Sequence, residues 1–259
     1  MRADLYLFEN KYTESRQSAK NLIVSGSVIL DGRPLTKPSV NVDEQVEHTV
    51  VITADACPYV SRGGLKLKGA IDAFGLEVAG KSALDIGAST GGFTDCLLQH
   101  GARHVCAVDS GSSQLHCKLR EDTRVTVMEN TNARYLTAES FSESFDLITL
   151  DVSFISQTLI LPSIAALLAE DGRYVSLIKP QFEVGRENIG KNGIVKGEKL
   201  HRLAVNRVVS SAEALGLVCV GLTPSPIKGG DGNTEFLALF SRSGLPCSVD
   251  SFFREVNEK

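Results

Sequence analysis

Four charged residues stand where an apolar core would not put them: Lys66, Asp151, Lys179 and Glu235. Asp151 follows the run Leu147-Ile148-Thr149-Leu150, Lys179 follows Leu177-Ile178, and Glu235 immediately precedes Phe236-Leu237-Ala238-Leu239-Phe240. Lys66 lies earlier, in Ser61-Arg62-Gly63-Gly64-Leu65-Lys66. If the apolar runs are strands of one sheet, these charges converge on one rim, where open α/β sheets form their sites. Two amines and two carboxylates gathered there suit proton handling or the stabilisation of an oxygen anion. Taken singly each is a surface charge; the reading rests on all four together.

A second constellation is Leu84-Asp85-Ile86-Gly87-Ala88-Ser89-Thr90-Gly91-Gly92-Phe93, an apolar strand running into a loop of small residues that opens a helix. Glycines let a ligand approach the backbone, so Asp85, Gly87, Ala88, Ser89, Gly91, Gly92 and Phe93 are candidate ligand contacts. The spacing departs from G-x-G-x-x-G, since its third residue is Ser89. Asp85 just ahead of the loop would repel a pyrophosphate and suits an ammonium or sulfonium instead. About 20 residues on, Asp109 ends the next strand, where an acid accepts hydrogen bonds from ribose hydroxyls. Together these favour S-adenosyl-L-methionine over NAD. A purely structural tight turn is the plainer alternative.

Elements must hold these residues. From Lys81 onward, strands are expected at 83–86, 104–108, 125–128, 147–150, 174–178, 217–222 and 236–240, with helices between them. The helix at 199–215 has Leu200, Leu203, Val208, Ala212 and Leu215 as its apolar stripe and stops at Gly216. Strands alternating with helices specify parallel pairing with both faces covered. Between the last two strands no helix pattern is legible, so the final strand should run antiparallel. The expected fold class is therefore α/β: a doubly wound, mostly parallel, seven-stranded Rossmann-like sheet with one antiparallel strand. Ahead of it comes a small α+β domain. Its first helix carries Leu5, Leu7, Phe8 and Tyr12, and a second runs from Ser15 through Ala19, Leu22 and Ile23 to Gly26. Strands follow at Val28-Ile29-Leu30 and near 46–52, with a turn at Asp31-Gly32. The expected domains are 1–58, a linker at 59–80 carrying Lys66, the sheet domain at 81–243 and a tail at 244–259.

Composition narrows the classes. With 42% hydrophobic and 22% charged residues the chain is neither disordered nor fibrous. A net charge of −4 argues against coating nucleic acid by bulk charge but allows a local basic patch. Arg16 and Lys20, four apart, share a helical face, and Lys37 follows the first strand; from charge alone these form a solvated face. Cys57, Cys96, Cys106, Cys117, Cys219 and Cys247 show no C-x-x-C and no finger spacing, which argues against a zinc module. Five of the six have apolar or small neighbours and read as buried thiols. Met1-Arg2-Ala3-Asp4 opens no signal peptide, so a cytoplasmic location is expected. The uncharged run at 152–169 raises a transmembrane alternative, yet Pro162 and its scattered serines fit a strand end and a core helix better.

Over nearly its whole length the sequence resembles the TlyA family, named for hemolysin and regarded as rRNA 2′-O-methyltransferases. The motifs that carry this are Tyr59-Val60-Ser61-Arg62-Gly63-Gly64 with Lys66; Asp85 through Cys96; Thr131-Asn132-Ala133-Arg134; Asp151-Val152-Ser153-Phe154-Ile155-Ser156; Lys179-Pro180-Gln181-Phe182-Glu183; and Gly232-Asn233-Thr234-Glu235. The resemblance implies an N-terminal alpha-L RNA-binding domain, with Arg16, Lys20 and Lys37 turned from solvated face to phosphate contacts and Arg62 joining them. It implies the Lys-Asp-Lys-Glu tetrad of the heat-shock-type RNA methyltransferases at Lys66, Asp151, Lys179 and Glu235. It adds Gly111, Asn132 and Ala133 to the S-adenosylmethionine contacts, and ribosomal RNA or ribosomal subunits, at a cytidine, as substrate. One departure stands out: family members often read Asp-x-Gly-Tyr-Gly-Gln-Leu where this chain has Asp109-Ser110-Gly111-Ser112-Ser113-Gln114-Leu115.

For that chemistry a ribose hydroxyl, a methyl carbon and a sulfur must lie in line, and positioning alone supplies roughly 7–11 kcal/mol. Lys179 is the candidate to touch the hydroxyl, as a base or as an ammonium that stabilises alkoxide, with Asp151 and Glu235 orienting the lysines. The glycine-rich, basic residues 184–196 suggest a lid that orders on RNA. Two rivals stand beside this reading: a membrane-lytic hemolysin, for which stable membrane insertion is not expected, and an RNA-binding protein with an inactive methyltransferase domain.

Overall fold

Alternation and turn chemistry shape the first 58 residues. The computed structural model describes residues 1–13, 15–24, 27–52, 57–229 and 232–257. The chain forms two compact units, Met1–Pro58 and Tyr59–Lys259. In the first, α1 (Ala3–Glu9) and α2 (Arg16–Val24) accompany a sheet of order β2-β1-β3, formed by β1 (Val28–Leu30), β2 (Arg33–Pro34) and β3 (Val50–Ile52). Leu30 pairs with Arg33 across Asp31 and Gly32, both at positive φ (50° and 75°), the two-residue turn that matches strand twist. Ala3, Tyr6, Leu7, Ala19, Ile23 and Val28 are its core. The stripe on α1 is therefore 3/6/7, so Phe8 and Tyr12, expected to pack, are largely exposed. The strand expected near 46–52 is confined to β3, and the stop expected at Gly26 lies outside the described residues.

The second unit opens with α3 (Gly63–Phe74), ended by Gly75 in the left-handed region. The segment expected as a linker is thus a helix, with Leu67, Ala70 and Ile71 buried. There follow β4 (Ser82–Ile86), α4 (Gly92–Gln99), β5 (His104–Val108), α5 (Cys117–Arg120), β6 (Val125–Met128), β7 (Phe145–Leu150), α6 (Leu161–Leu167), β8 (Leu168–Ile178), α7 (Pro180–Glu183), α8 (Glu198–Glu213), β9 (Val218–Pro224), β10 (Phe236–Ser241) and α9 (Val249–Asn257); between β6 and β7, where a helix was expected, lie 3-10 turns at Ala133–Tyr135 and Ala138–Ser140. Among the described residues the sheet has seven strands in the order β6-β5-β4-β7-β8-β10-β9. The β4, β5, β6, β7 and β8 pairings are parallel, and β10 runs antiparallel to both β8 and β9. The expected fold class is what forms.

Three details differ from expectation. The buried stripe of α8 is Ala204, Val205, Val208, Val209 and Ala212, which rotates Leu203 outward to 47% exposure, while Leu215 lies beyond the helix end. The expected tail folds as α9, and Phe252 and Phe253 pack on Phe236 with ring centroids 6.0 and 5.4 Å away. Three cysteines are buried (Cys96, Cys106, Cys219), Cys57 and Cys247 are half-buried and Cys117 is exposed, fewer buried thiols than their neighbours suggested. The uncharged run after β7 becomes a loop, a 3-10 turn at Gln157–Leu159 and α6. Among the described residues no helix is long and apolar enough to cross a membrane.

Candidate active site

Chain order runs outward from β4 to β6, then returns to β7 on the other side of β4, so the sheet has its switch point between β4 and β7. There the Asp151 N–H donates to the Ile86 carbonyl at 3.0 Å. Because β10 is reversed and Phe236 pairs with Ile178, Glu235 at the start of β10 sits beside Lys179 at the end of β8. Lys66 reaches the same rim from α3. Its Nζ lies 2.6 Å from Glu235 Oε2, and Lys179 Nζ lies 2.5 Å from Asp151 Oδ1 and 3.0 Å from Ser153 Oγ. Both lysines are 9% exposed and Glu235 is 2% exposed. Buried ion pairs seldom add net stability, because desolvation offsets their attraction. Lys66–Glu235 is such a pair, and Lys179–Asp151, whose carboxylate is 19% exposed, is half-buried.

A cavity of about 470 Å³ opens on this rim; of the four charged residues Asp151 lines it, and Lys66, Lys179 and Glu235 do not. Of the sequence candidates, Gly87, Ser89, Asp109, Asn132, Ala133 and Asp151 line it. Gly87 has φ +84°, and a Cβ there would come within 2.3 Å of the Asp151 carbonyl oxygen, so glycine is what lets the two loops meet. Asp109 accepts the Ser89 N–H at 2.8 Å on one oxygen and the Gly111 N–H at 2.7 Å on the other. Gly111 thus orients the carboxylate without lining the cavity itself.

Asp85 is a correction. It does not line the cavity: strand alternation turns it to the opposite face from Leu84 and Ile86, where it is fully buried. There it accepts hydroxyl hydrogens from Thr94 at 2.7 Å and Thr149 at 2.9 Å. Burial pushes its carboxyl up to about 6 against these two hydrogen bonds. Ala88, Gly91, Gly92 and Phe93 also stay off the cavity wall. Ala88 donates its N–H to Val108, and Phe93 is core. A Cβ on Gly91 would strike Leu119, and one on Gly92 would lie 2.2 Å from Ser61 Oγ, so these glycines serve close packing.

The departure at Ser112-Ser113 has a structural counterpart. Ser113 has φ +54°, a left-handed conformation at the position where the family pattern has glycine. The Glu129 carboxylate braces this loop by accepting the N–H groups of Ser113, Gln114 and Leu115, and Arg120 is paired with it. Arg120, aided by those N–H groups, holds the Glu129 carboxyl down at about 2.

Sequence reasoning passed over Phe154 as a single residue. It lines the cavity, is 92% exposed, has φ +65° and tilts toward Phe182 with ring centroids 5.4 Å apart. An aromatic directly after Asp151-Val152-Ser153, on a loop leaving a strand end, was the available signal. The basic candidates fare unevenly. Lys37 and Arg62 are exposed and Lys20 is half-buried. Arg16 donates to the buried Asp4 at 2.9 Å, an acid that Arg2 first and Arg16 second hold down at about 2. Much of Arg16 therefore serves the fold of its own unit.

Residues 59–242 match the model of the FtsJ-like methyltransferases. The chain belongs to that family. Within it, the TlyA resemblance is borne out: the 16S/23S rRNA (cytidine-2′-O)-methyltransferase TlyA of Mycobacterium tuberculosis is 44% identical over 262 residues, spanning 99% of this chain and 97% of that protein. YqxC of Bacillus subtilis, which carries the name of an rRNA methyltransferase, is 48% identical over 237 residues, 91% of this chain and 84% of its own. A solved Streptococcus thermophilus structure named as a hemolysin is 40% identical, with a TM-score of 0.79, covering 100% of this chain and 96% of that one. Family membership extends from α3 through β10, the span that contributes all four charged residues of the rim.

Proposed function

We propose that this protein transfers a methyl group from S-adenosylmethionine to a ribose 2′-hydroxyl of ribosomal RNA, at a cytidine as its TlyA relative's name states. The observation that carries the reading is the two ion pairs on one rim of the sheet, the buried Lys66–Glu235 and the half-buried Lys179–Asp151, whose Asp151 also lines the cavity. The cavity residues fit an adenosyl ligand. Each Asp109 oxygen has one backbone N–H partner, which leaves acceptor capacity for ribose hydroxyls. Gly87 brings bare backbone to the wall, and Asn132 and Ala133 complete it. Bound there, S-adenosylmethionine supplies an electrophilic methyl carbon on a sulfonium.

The chain's own residues do the rest. Lys179 Nζ, steadied by Asp151 and Ser153, meets the ribose oxygen and either takes its proton or holds its growing charge. Asp151 and Glu235 fix the two amines so that oxygen and methyl carbon are held near attack distance. Phe154 offers an exposed aromatic face to the target base once it leaves its stack. Lys20, Lys37, Arg62 and the outer part of Arg16 contact phosphates and position the RNA. An enzyme of this kind works in the cytoplasm, where ribosomal subunits are.

The test is methyl transfer to ribosomal subunits from cells lacking the modification. Wild type should label ribose, and Lys179→Ala should bind S-adenosylmethionine without transferring its methyl. Liposome leakage caused equally by both proteins, with no labelling, would favour the lytic reading instead.

A further inference from the structure

Residues 184–197 connect Glu183, four positions beyond Lys179, to α8, and side chains pin them at both ends. At the start, the buried Glu183 carboxylate accepts the Ser156 hydroxyl at 2.6 Å and the Gln157 N–H at 2.8 Å. Its own carbonyl accepts from Arg207 of α8 at 2.7 Å. Ser156 and Gln157 close the loop that carries Asp151, Ser153 and Phe154. The Gln157 amide is itself held, donating to the Leu177 carbonyl at 2.5 Å and accepting from Ser176. Glu183 thereby fastens the loop bearing Asp151 to the one bearing Lys179.

At the far end, Asn233 is 1% exposed. Its Oδ1 accepts the Val195 N–H at 2.9 Å and its Nδ2 donates to the Gly193 carbonyl at 3.0 Å. Asn233 stands two residues ahead of Glu235. Arg186 and Lys191 lie between the anchors and Lys196 directly follows the second, all three exposed and without an ion-pair partner among the described residues. Gly185 (φ +85°) and Gly197 (φ +90°) bound it, conformations that L side chains rarely adopt.

We propose that Glu183 and Asn233 are positioning residues, each tying one end of this basic strap to one of the two ion pairs, so that RNA held by the strap sets the rate of methyl transfer as well as affinity. The proposal rests on the methyltransferase reading above. A phosphate contact remote from the reacting atoms ordinarily adds equally to ground and transition states and changes KM alone. Here one anchor shares a five-residue stretch with Lys179 and the other lies two residues ahead of Glu235. Tension on the strap reaches both amines, where a misplacement of about 1 Å costs on the order of 100-fold in rate.

The full-length protein, S-adenosylmethionine and unmodified ribosomal subunits provide the test. The exposed triple variant Arg186→Ala/Lys191→Ala/Lys196→Ala should raise KM for the subunit and also lower kcat about 10-fold, with the Kd for S-adenosylmethionine within about 2-fold of wild type. Glu183→Ala and Asn233→Ala should lower kcat about 10–100-fold at unchanged cofactor Kd. Glu183→Gln, whose amide oxygen still accepts the Gln157 N–H, should recover most of that loss. A triple variant that raises KM with kcat intact would overturn the proposal, as would loss of kcat and cofactor binding in step in both alanine variants. Hydrogen exchange gives a readout independent of turnover: residues 184–197 should gain protection when ribosomal RNA is added to wild type, and no gain removes the strap. Absence of methyl transfer by wild type itself would count against the methyltransferase reading rather than the strap.

Discussion

Replacing Asp85 with Asn should stabilise the protein above neutral pH while leaving S-adenosylmethionine binding as it is. The carboxyl is raised from 3.8 to about 6 in the folded chain. Two units at about 1.4 kcal/mol each give ~3 kcal/mol of stability that is full below pH 4 and is lost as pH rises through 6. Asn cannot ionise and escapes that loss, but it must receive Thr94 and Thr149 with one oxygen rather than two, at a cost of about 1 kcal/mol. The net expectation is a gain of about 2 kcal/mol at pH 8 and close to zero at pH 4.5. Urea unfolding of both proteins at the two pH values reads this directly, and calorimetric titration with S-adenosylmethionine reads the cofactor side. A gain of equal size at both pH values would refute burial as the cause. Cofactor affinity weakened tenfold would put Asp85 back on the cavity wall.

Three further outcomes are expected. Phe154→Ala should lower kcat/KM for ribosomal subunits about 10–100-fold, since base–aromatic stacking contributes ~1–3 kcal/mol, without lowering the urea midpoint of so exposed a residue. Ser113→Gly should raise stability by about 0.5–1 kcal/mol, because a left-handed non-glycine residue costs roughly 1–2 kcal/mol and glycine's greater unfolded-state freedom returns part of it; an unchanged or lower urea midpoint would contradict this. Asp4 is held down at about 2, so its stabilising pairs are complete above pH 4 and are lost as pH falls through 2. Amides of α1 should therefore exchange faster at pH 2 than acid alone explains, and Asp4→Asn should abolish that dependence.

Element type and order were legible where a strand is a short apolar run; β8 extends back through Glu170, Asp171 and Arg173 to Leu168, a start that no apolar pattern marks. The reversed last strand followed from the length and composition of one connection. Orientation was harder. Asp85 adjoins a glycine loop in sequence, yet which face of β4 it meets depends on the pleat, and the pleat turned it onto two threonines. Leu203 and Val205 are both apolar, and only the partners of α8 decide which one is buried. Arg16 reads as a free cation until Asp4, twelve residues away, takes it up. The three charges at strand ends, Asp151, Lys179 and Glu235, were the most readable part of the site, because a topology that aligns strands aligns their ends. Phe154 was the least readable, because exposure of one aromatic inside an uncharged run has no period to reveal it.

The order of strands has a consequence for biosynthesis. β10 lies between β8 and β9 although it is made after both, so until it inserts β9 has no neighbour in the sheet and Lys66 has no acid. Lys66 and Glu235 are 169 residues apart in the chain, and the constellation exists only when nearly all of the second unit has been synthesised. On the methyltransferase reading proposed above, a nascent polypeptide that still lacks β10 would for that reason be silent toward the ribosome that is making it.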